Sequence, residues 1–563
     1  MKKLPIGLDD FKAILDNKYR FVDKSLFIRD IIDEPVQVLL IARPRRFGKT
    51  LNLSMLRYFF EKSPVDRAAL FHDLAIWQQG ERYTSEQGKY PIITLTFKST
   101  KMQKWSDNYQ LLSSAISNEF RRHRYLMDDK HLSAQDARIY LSYLDGNASE
   151  SAYGGSMAFL SKLLSEHYGE NTIILLDEYD TLLNEAWIHG FYDEAIAFLR
   201  VFMNETFKNN LFLKKGIITG IFRVAKESIF SDMNNLKVST LLSENYKEYF
   251  GFTEKEVLGL LEEFGMQDRA HDVASWYNGY RFGMDKPVVI YNPWSIVMFF
   301  NEKFLKPYWV NTSGNAIIRK LATEGKRTVQ LSIQDLLEGK SIPNVQIDEN
   351  IIYSEIMKSD TAIWSFMLMS GYLKPETAEL RNGNIFCTLV PPNQEIYHFF
   401  RNMMRTWFEE ATQAGDGQEM LSGLVNGELP AFRNHFTNMV LRMVSFNDVG
   451  DDTSESFYHA FVLGMLVTLD GTHEVKSNRE SGYGRYDVMI IPRDLSKKGV
   501  VIEFKKADRY GEESIESALD AAMVQIEEKR YVEELHARGV KDVVKLGIAF
   551  KGKKVLMRMG EYS

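Results

Sequence analysis

Arg43-Pro44-Arg45-Arg46-Phe47-Gly48-Lys49-Thr50 follows the apolar run Val36 to Ile41, leads into a helical pattern, and closes on Gly-Lys-Thr. Strand, turn and helix in that order frame a phosphate-binding loop. Backbone N–H groups of such a loop converge on phosphate oxygens, the lysine adds a point charge on the β and γ groups, and the threonine hydroxyl ligates Mg²⁺. The pattern G-x-x-x-x-G-K-[ST] places a glycine where this chain has Arg43, and Pro44 biases that arginine towards extended backbone. The expectation is a nucleotide site built from Arg45, Arg46, Phe47, Gly48, Lys49 and Thr50, with Thr50 reaching the metal.

A second stretch supports it. Ile173-Ile174-Leu175-Leu176-Asp177-Glu178 is a continuous apolar run, as a buried central strand requires, ending in two acids at its C-terminal edge. Asp177 is placed to hold Mg²⁺, and Glu178 to orient the water that attacks the γ-phosphate. Asp180 reads as a local helix cap or a third acid, with the cap favoured.

The runs Val36 to Ile41, Ile92 to Phe97, Ile173 to Leu176 and Gly216 to Thr219 alternate with the helical patterns Asn108 to Arg124 and Ser156 to His167. That alternation predicts a parallel α/β sheet over residues 1–250. Thr253-x-x-Glu256 opens the next region as a capping box, and a mainly helical domain is expected over residues 251–440, with a looser stretch around Pro375 to Cys387. A polar linker at Gly450 to Ser454 and an apolar helix from Ser456 to Leu469 begin a third domain, residues 441–563. Its strands are expected at His473 to Lys476, Tyr486 to Ile491, Val500 to Phe504 and Val544 to Phe550, with a helix from Ser514 to Leu535 between the last two.

With 563 residues, 45% of them hydrophobic, the chain has ample material for several cores. Its net charge of -7 argues against a chain-wide nucleic-acid coat while allowing a local basic groove. Cys387 is the only cysteine, which excludes an intrachain disulfide and a cysteine-built zinc site. The run Phe461 to Leu469 is too short to cross a bilayer and the N-terminus lacks a signal-peptide core, so a cytoplasmic protein with no membrane partner is expected.

Arg-Pro-Arg-Arg-Phe-Gly-Lys-Thr, Leu-Leu-Asp-Glu-Tyr-Asp at 175–180 and Phe21-Val22-Asp23-Lys24-Ser25 together resemble the bacterial and archaeal AAA-ATPase-like family. Thr219-Gly220, Ile229-Phe230-Ser231, Asn234-Asn235-Leu236, Trp276-Tyr277-Asn278-Gly279-Tyr280 and Tyr291-Asn292-Pro293-Trp294-Ser295 extend the likeness along the chain. Members lack the first glycine, so Arg43 is a family trait. The resemblance implies a P-loop ATPase core with ATP as ligand, a helical lid, and a C-terminal domain like the PD-(D/E)XK nucleases. It also implies that Thr219 senses the γ-phosphate and that Arg223 senses nucleotide or acts as an arginine finger, against the alternatives of a strand cap and a surface arginine. Asp23 and Lys24 would touch base or ribose, or serve a helix N-terminus. Trp276, Tyr277, Tyr280 and Trp294 are assigned to the lid's core, and Arg121-Arg122-His123-Arg124 to a solvated helix end.

The second chemical site has the order Asp487, then Glu503-Phe504-Lys505. On a strand, residues two apart share a face, so Glu503 and Lys505 project together and can meet Asp487 from a neighbouring strand. Two carboxylates and a lysine suit phosphodiester hydrolysis: Asp487 and Glu503 bind Mg²⁺ or Mn²⁺, Glu474 completes the metal shell, and Lys505 positions water or steadies charge in the transition state. Gly484-Arg485 before the aspartate fits the family's Gly-Arg-x-Asp pattern, and Gln525 with Tyr531 resembles the supporting glutamine-and-tyrosine helix of this nuclease group.

The leading expectation is an ATPase coupled to a metal-dependent nuclease-like domain acting on DNA or RNA. The alternative is a nucleotide-controlled regulatory switch, acting through homo-oligomerisation, whose C-terminal domain binds a partner without cleaving.

Overall fold

The computed structural model describes residues 2–130, 132–224, 229–230, 233–312, 318, 320, 327–337, 339–351, 353–356, 358–411, 416–446, 466, 469, 471–481, 484–507, 514–551 and 554–560. Among them no helix is long and apolar enough to cross a membrane. The chain forms two compact units, each discontinuous in sequence: Met1–Leu321 with Ser341–Ile396, and Ala322–Lys340 with Tyr397–Ser563.

The first unit is organised by strands β1 (Val38–Ala42), β2 (Ile92–Thr96), β3 (Thr172–Asp177), β4 (Leu213–Gly220) and β6 (Leu236–Ser239), which form a sheet of order β2-β3-β4-β1-β6. Every pairing in it is parallel, as crossovers through helices on both faces require. β1 and β3 are buried at every position, which is why both read as unbroken apolar runs. β6 was not expected: Leu236-Lys237-Val238-Ser239 is a half-buried edge strand, too short and mixed to announce itself. The short β5 (Arg223–Val224) pairs in parallel with β11 (Asn350–Ile351).

Two smaller sheets complete this unit: β7 (Phe252–Thr253), β8 (Tyr280–Phe282) and β9 (Val288–Tyr291), and β10 (Ile342–Ile347), β12 (Lys374–Arg381) and β13 (Asn384–Val390). The stretch expected to be loose around Pro375 to Cys387 is therefore a hairpin. Its turn, Asn382-Gly383, has φ of 49° and 80°, the left-handed pair that a tight turn demands. The helices that matter for the site are α1 (Lys49–Phe60), α2 (Thr181–His189), α3 (Glu254–Glu263), α4 (Pro293–Glu302) and the start of α5 (Gln394–Ala411). The Thr253–Glu256 capping box is formed. Asn292 caps α4, accepting from Ser295 N, with Pro293 in the first turn, so the Tyr-Asn-Pro-Trp-Ser motif is in part a helix start.

The second unit contains a mixed sheet of order β14-β15-β16-β17-β18: β14 (His473–Ser481), β15 (Gly484–Pro492), β16 (Gly499–Lys506), β17 (Val543–Lys551) and β18 (Lys554–Met559). Only β16 and β17 run parallel, joined by α6 (Ile515–Glu528) and a shorter helix, Val532–Ala537. The single helix expected from Ser514 to Leu535 breaks at Arg530, which has φ of 52°. At Gly547 on β17 a Cβ would lie 2.8 Å from Met523 Sδ, so the glycine lets α6 approach the sheet. The expected linker at Gly450 to Ser454 and nearly all of the expected helix from Ser456 to Leu469 lie outside the described residues.

Candidate functional site

The ends of β1, β4 and β3 lie level, since Ala42 is opposite Gly220 and Leu176 opposite Ile218. This brings the residues that follow them together at the C-terminal edge of the sheet, where open α/β folds bind ligands. Thr50 Oγ1 donates to Asp177 Oδ2 at 2.6 Å, and Thr219 Oγ1 donates to Asp177 Oδ1 at 2.5 Å. Lys49 Nζ donates to Arg43 O at 2.8 Å and Pro44 O at 2.9 Å, which uses two of the ammonium's three donors. Burial lowers the lysine's proton affinity while Glu178, Asp180 and Asp177 raise it. Burial raises that of Asp177 and its hydroxyl donors lower it.

Gly48 caps α1 with φ of 82°, and Arg46 is also left-handed at 65°. Phe47 turns its ring inward, edge-on to Tyr280 with centroids 4.9 Å apart, so it anchors the loop and leaves only its backbone towards a ligand. The Arg46 guanidinium lies 4.5 Å over the Trp294 ring. Trp294, expected in the lid's core, therefore also touches the loop. Trp309 Nε1 donates to Arg45 O at 3.0 Å.

Arg43 is wholly buried and is not among the residues lining the cavity in front of the loop. Its Nη1 donates to Ala42 O, Ser239 O and Thr240 O at 2.8, 3.0 and 2.6 Å, and its Nη2 to Ser239 Oγ and Asn245 O, both at 3.3 Å. Phe250 and Phe282 flank the guanidinium at 5.5 and 5.4 Å. The residue in the first glycine's place is thus a strut tying β1 to the end of β6.

A cavity of about 260 Å³ opens in front of the loop. Arg45 to Asn52 form one wall, with Lys24, Glu178, Phe252 and Trp294 among the others. The N-terminal residues Leu4, Leu8 and Asp9 also line it, and just beyond them Phe11 N donates to Ser54 Oγ on α1 at 2.9 Å. Glu178 is left-handed, φ 52°, and its Oε2 accepts from Thr181 Oγ1 at 3.3 Å. Lys24 lines the cavity but is tied to Glu256 and to Glu248 O at 2.7 Å. Asp23 accepts from Ser25 N and Ala75 N, a turn-forming role.

Three expectations change here. Asp180 is not a side-chain cap of α2; it is buried and accepts from Ile221 N at 2.8 Å, joining β3 to the turn after β4, with its carboxyl pushed up to about 6 by burial. Arg223 lies on β5, held in register with Asn350 by main-chain pairing, outside the cavity lining. Arg122 and His123 are not a solvated helix end: Arg122 bonds to Glu61, Glu119 and Ile92 O, and His123 Nε2 faces Ile92 O.

In the second unit, Val488 is opposite Ile502 on β16, so antiparallel pairing brings Asp487 beside Glu503. Phe504 N donates to Asp487 Oδ2 at 2.7 Å, and Lys505 Nζ donates to Glu503 Oε1 at 3.2 Å. Glu503 is 1% exposed, and its other oxygen, Oε2, has no hydrogen-bond partner among the described residues. Its carboxyl is pushed up to about 8, first by burial and then by the charge of Asp487. Gln525 Nε2 donates to Tyr531 OH at 3.2 Å, and the buried phenol feels the charges of Glu503 and Asp487.

Glu474 is not brought to this pair. It stands opposite Ile491, four residues beyond Asp487 on β15 and so about 13 Å along the strand. Its carboxylate meets Arg538 Nη1 at 3.3 Å and Lys476 Nζ at 3.5 Å. Among the described residues no group of three or more acidic, histidine or cysteine side chains is arranged to hold a metal.

A P-loop core and a β-sheet carrying Asp, Glu and Lys define the class, and family models agree at both ends. Residues 5–230 match the family described as predicted AAA-ATPase, and residues 453–559 match the PD-(D/E)XK nuclease superfamily. The chain carries an AAA-ATPase-like N-terminal domain and a PD-(D/E)XK nuclease-superfamily domain at its C-terminus. It is also 22% identical over 579 residues, 98% of this chain and 96% of the other, to an uncharacterized protein in the vnfD 5′ region of Azotobacter chroococcum mcd 1.

Proposed function

We propose that this protein binds and hydrolyses ATP, and that nucleotide state governs hydrolysis of DNA or RNA phosphodiesters by the C-terminal domain. In this reading residues 1–250 are the ATPase domain, 251–440 the lid and 441–563 the nuclease-like domain, working in the cytoplasm. The observation that carries it is Glu503: a carboxylate buried beside a second one, with one oxygen unpartnered among the described residues and a lysine 3.2 Å from the other. Burying such a pair is costly unless a cation is to be held there. Asp487 and Glu503 would hold Mg²⁺ or Mn²⁺, which supplies Lewis-acid polarisation of the phosphate and an acidified water. Lys505 orients that water and offsets charge on the phosphate, while Gln525 on α6, bonded to Tyr531 at the start of the helix Val532–Ala537, supports the carboxylates.

At the other site, Lys49 keeps one donor for the β and γ phosphates, and the backbone from Arg45 to Thr50 cradles them. Thr50 and Asp177 would hold the nucleotide's Mg²⁺, Thr219 fixes Asp177, and Glu178 orients the attacking water. Purified full-length protein should hydrolyse ATP and, with Mg²⁺ or Mn²⁺, cut one of a panel of single- and double-stranded DNA and RNA. Lys49→Ala should abolish ATP hydrolysis and Asp487→Ala should abolish cleavage. Cleavage that survives Asp487→Ala removes the nuclease assignment. Nucleotide-dependent assembly with no turnover and no cleavage would favour the regulatory switch instead.

A further inference from the structure

Glu395 is a fully buried carboxylate, and among the described residues no arginine or lysine pairs with it. All its partners are donors: Ser295 Oγ reaches Oε2 at 2.8 Å, Trp309 N reaches Oε1 at 2.5 Å, and the N–H groups of Tyr308 and Val310 add to them. Burial pushes its carboxyl up to about 7 despite these bonds.

What it organises is specific. Ser295 follows Trp294, whose ring carries the Arg46 guanidinium, and Trp309 gives its indole N–H to Arg45 O. One carboxylate thus fixes both tryptophans that hold the outer side of the phosphate loop. Glu395 itself lies in the first turn of α5, next to Ile396, whose N–H is capped by Asn393 Oδ1 at 3.2 Å. From Tyr397 onward the same helix is part of the second unit's chain.

We infer that Glu395 is the positioning residue through which nucleotide occupancy of the loop at 43–50 is passed to helix α5. This rests on the nucleotide-binding reading above. Phosphate contacts that shift the Arg45 carbonyl or the Arg46 side chain pull on the two tryptophans, and their common anchor is the first turn of α5. The acceptor chemistry is essential: a glutamine of the same shape turns an N–H₂ group towards donors and loses part of the array.

The test is hydrogen exchange of the full chain read by mass spectrometry, with and without MgATP, in wild type, Glu395→Gln and Trp309→Phe. Wild type should show slowed exchange at 43–50 together with a change of about fivefold or more in peptides of 394–411, the lower end of ordinary coupling between sites. Glu395→Gln should retain protection at 43–50 and lose the response at 394–411. Trp309→Phe keeps an aromatic side chain, smaller than the indole, but removes the N–H to Arg45, and should lose that response too, which keeps the inference testable if the glutamine variant fails to fold. Protection at 43–50 without any change at 394–411 in wild type, or an undiminished α5 response in the folded variants, overturns the inference alone. Absence of MgATP protection at 43–50 in wild type overturns the nucleotide-binding reading and the inference with it.

Discussion

Restoring the motif's expected glycine should damage this protein. Arg43→Gly removes five hydrogen bonds from a buried guanidinium and its contact with Phe250 and Phe282. Losing the charged donor to the carbonyls of Ser239, Thr240 and Asn245 costs about 1 kcal/mol each, allowing for the partners these groups keep. The aromatic contact adds about 1 kcal/mol and the glycine's backbone freedom about 1 kcal/mol more. The sum, about 5 kcal/mol, corresponds to a fall of roughly 6 °C in the midpoint of a unit this large. Differential scanning calorimetry of the full chain should show the first unit's transition moving by that amount, and fluorescent ADP titration should show weaker binding. Arg43→Lys keeps a charge but not the planar fork, and should lose more than half as much. A glycine variant melting within about 2 °C of wild type, with unchanged ADP affinity, refutes the strut.

Glu503 is an acid whose folded-state value, about 8, lies above its ordinary 4.5, so the folded chain binds the extra proton and stability falls as pH rises between those values. Without metal, the second unit's melting midpoint should therefore drop from pH 6 to pH 9, and Mn²⁺ should restore it at pH 9. Asp487→Asn removes the neighbouring charge and should flatten that pH dependence in EDTA while abolishing cleavage; a slope equal to wild type in calorimetry contradicts the assignment. Arg46→Gly exchanges a left-handed arginine for the residue that tolerates that backbone, a gain of about 1 kcal/mol, against loss of a cation–π contact worth about 1 kcal/mol. Its midpoint should stay near wild type while nucleotide affinity falls; a large drop in midpoint would show that the Trp294 contact is worth more than this to the first unit's stability.

The parts legible in sequence are those set by local pattern. Val38–Ala42 and Thr172–Asp177 are buried on both faces, so their apolar runs marked them, and the Gly-Lys-Thr and Asp-Glu that follow needed only a parallel sheet to meet. Asp487, Glu503 and Lys505 followed from alternation on two strands. Glu474 failed because register along β14 is a property of the pairing, not of the acid's own neighbourhood. The Asn382-Gly383 turn carries a strong local signal, but the strands that flank it are mixed in polarity and show no clean alternation. Trp309 meets the phosphate loop across more than two hundred residues and Glu395 meets Trp309 across a further 86, and no window on the sequence contains either contact. Arg43 was visible as a departure, but only its carbonyl partners at 239–245 explain it.

The interleaved division of the chain has a consequence for its synthesis. Residues 322–340 belong to the second unit, yet the first unit needs 341–396. On the ribosome the short helix at 327–337 emerges with Val329, Ile333 and Leu336, all buried in the finished protein, long before its unit is complete. At ordinary elongation rates that interval is roughly ten to forty seconds. During it an apolar helix is exposed between two stretches of the first unit, which makes it a poor place to cut when the two units are expressed apart.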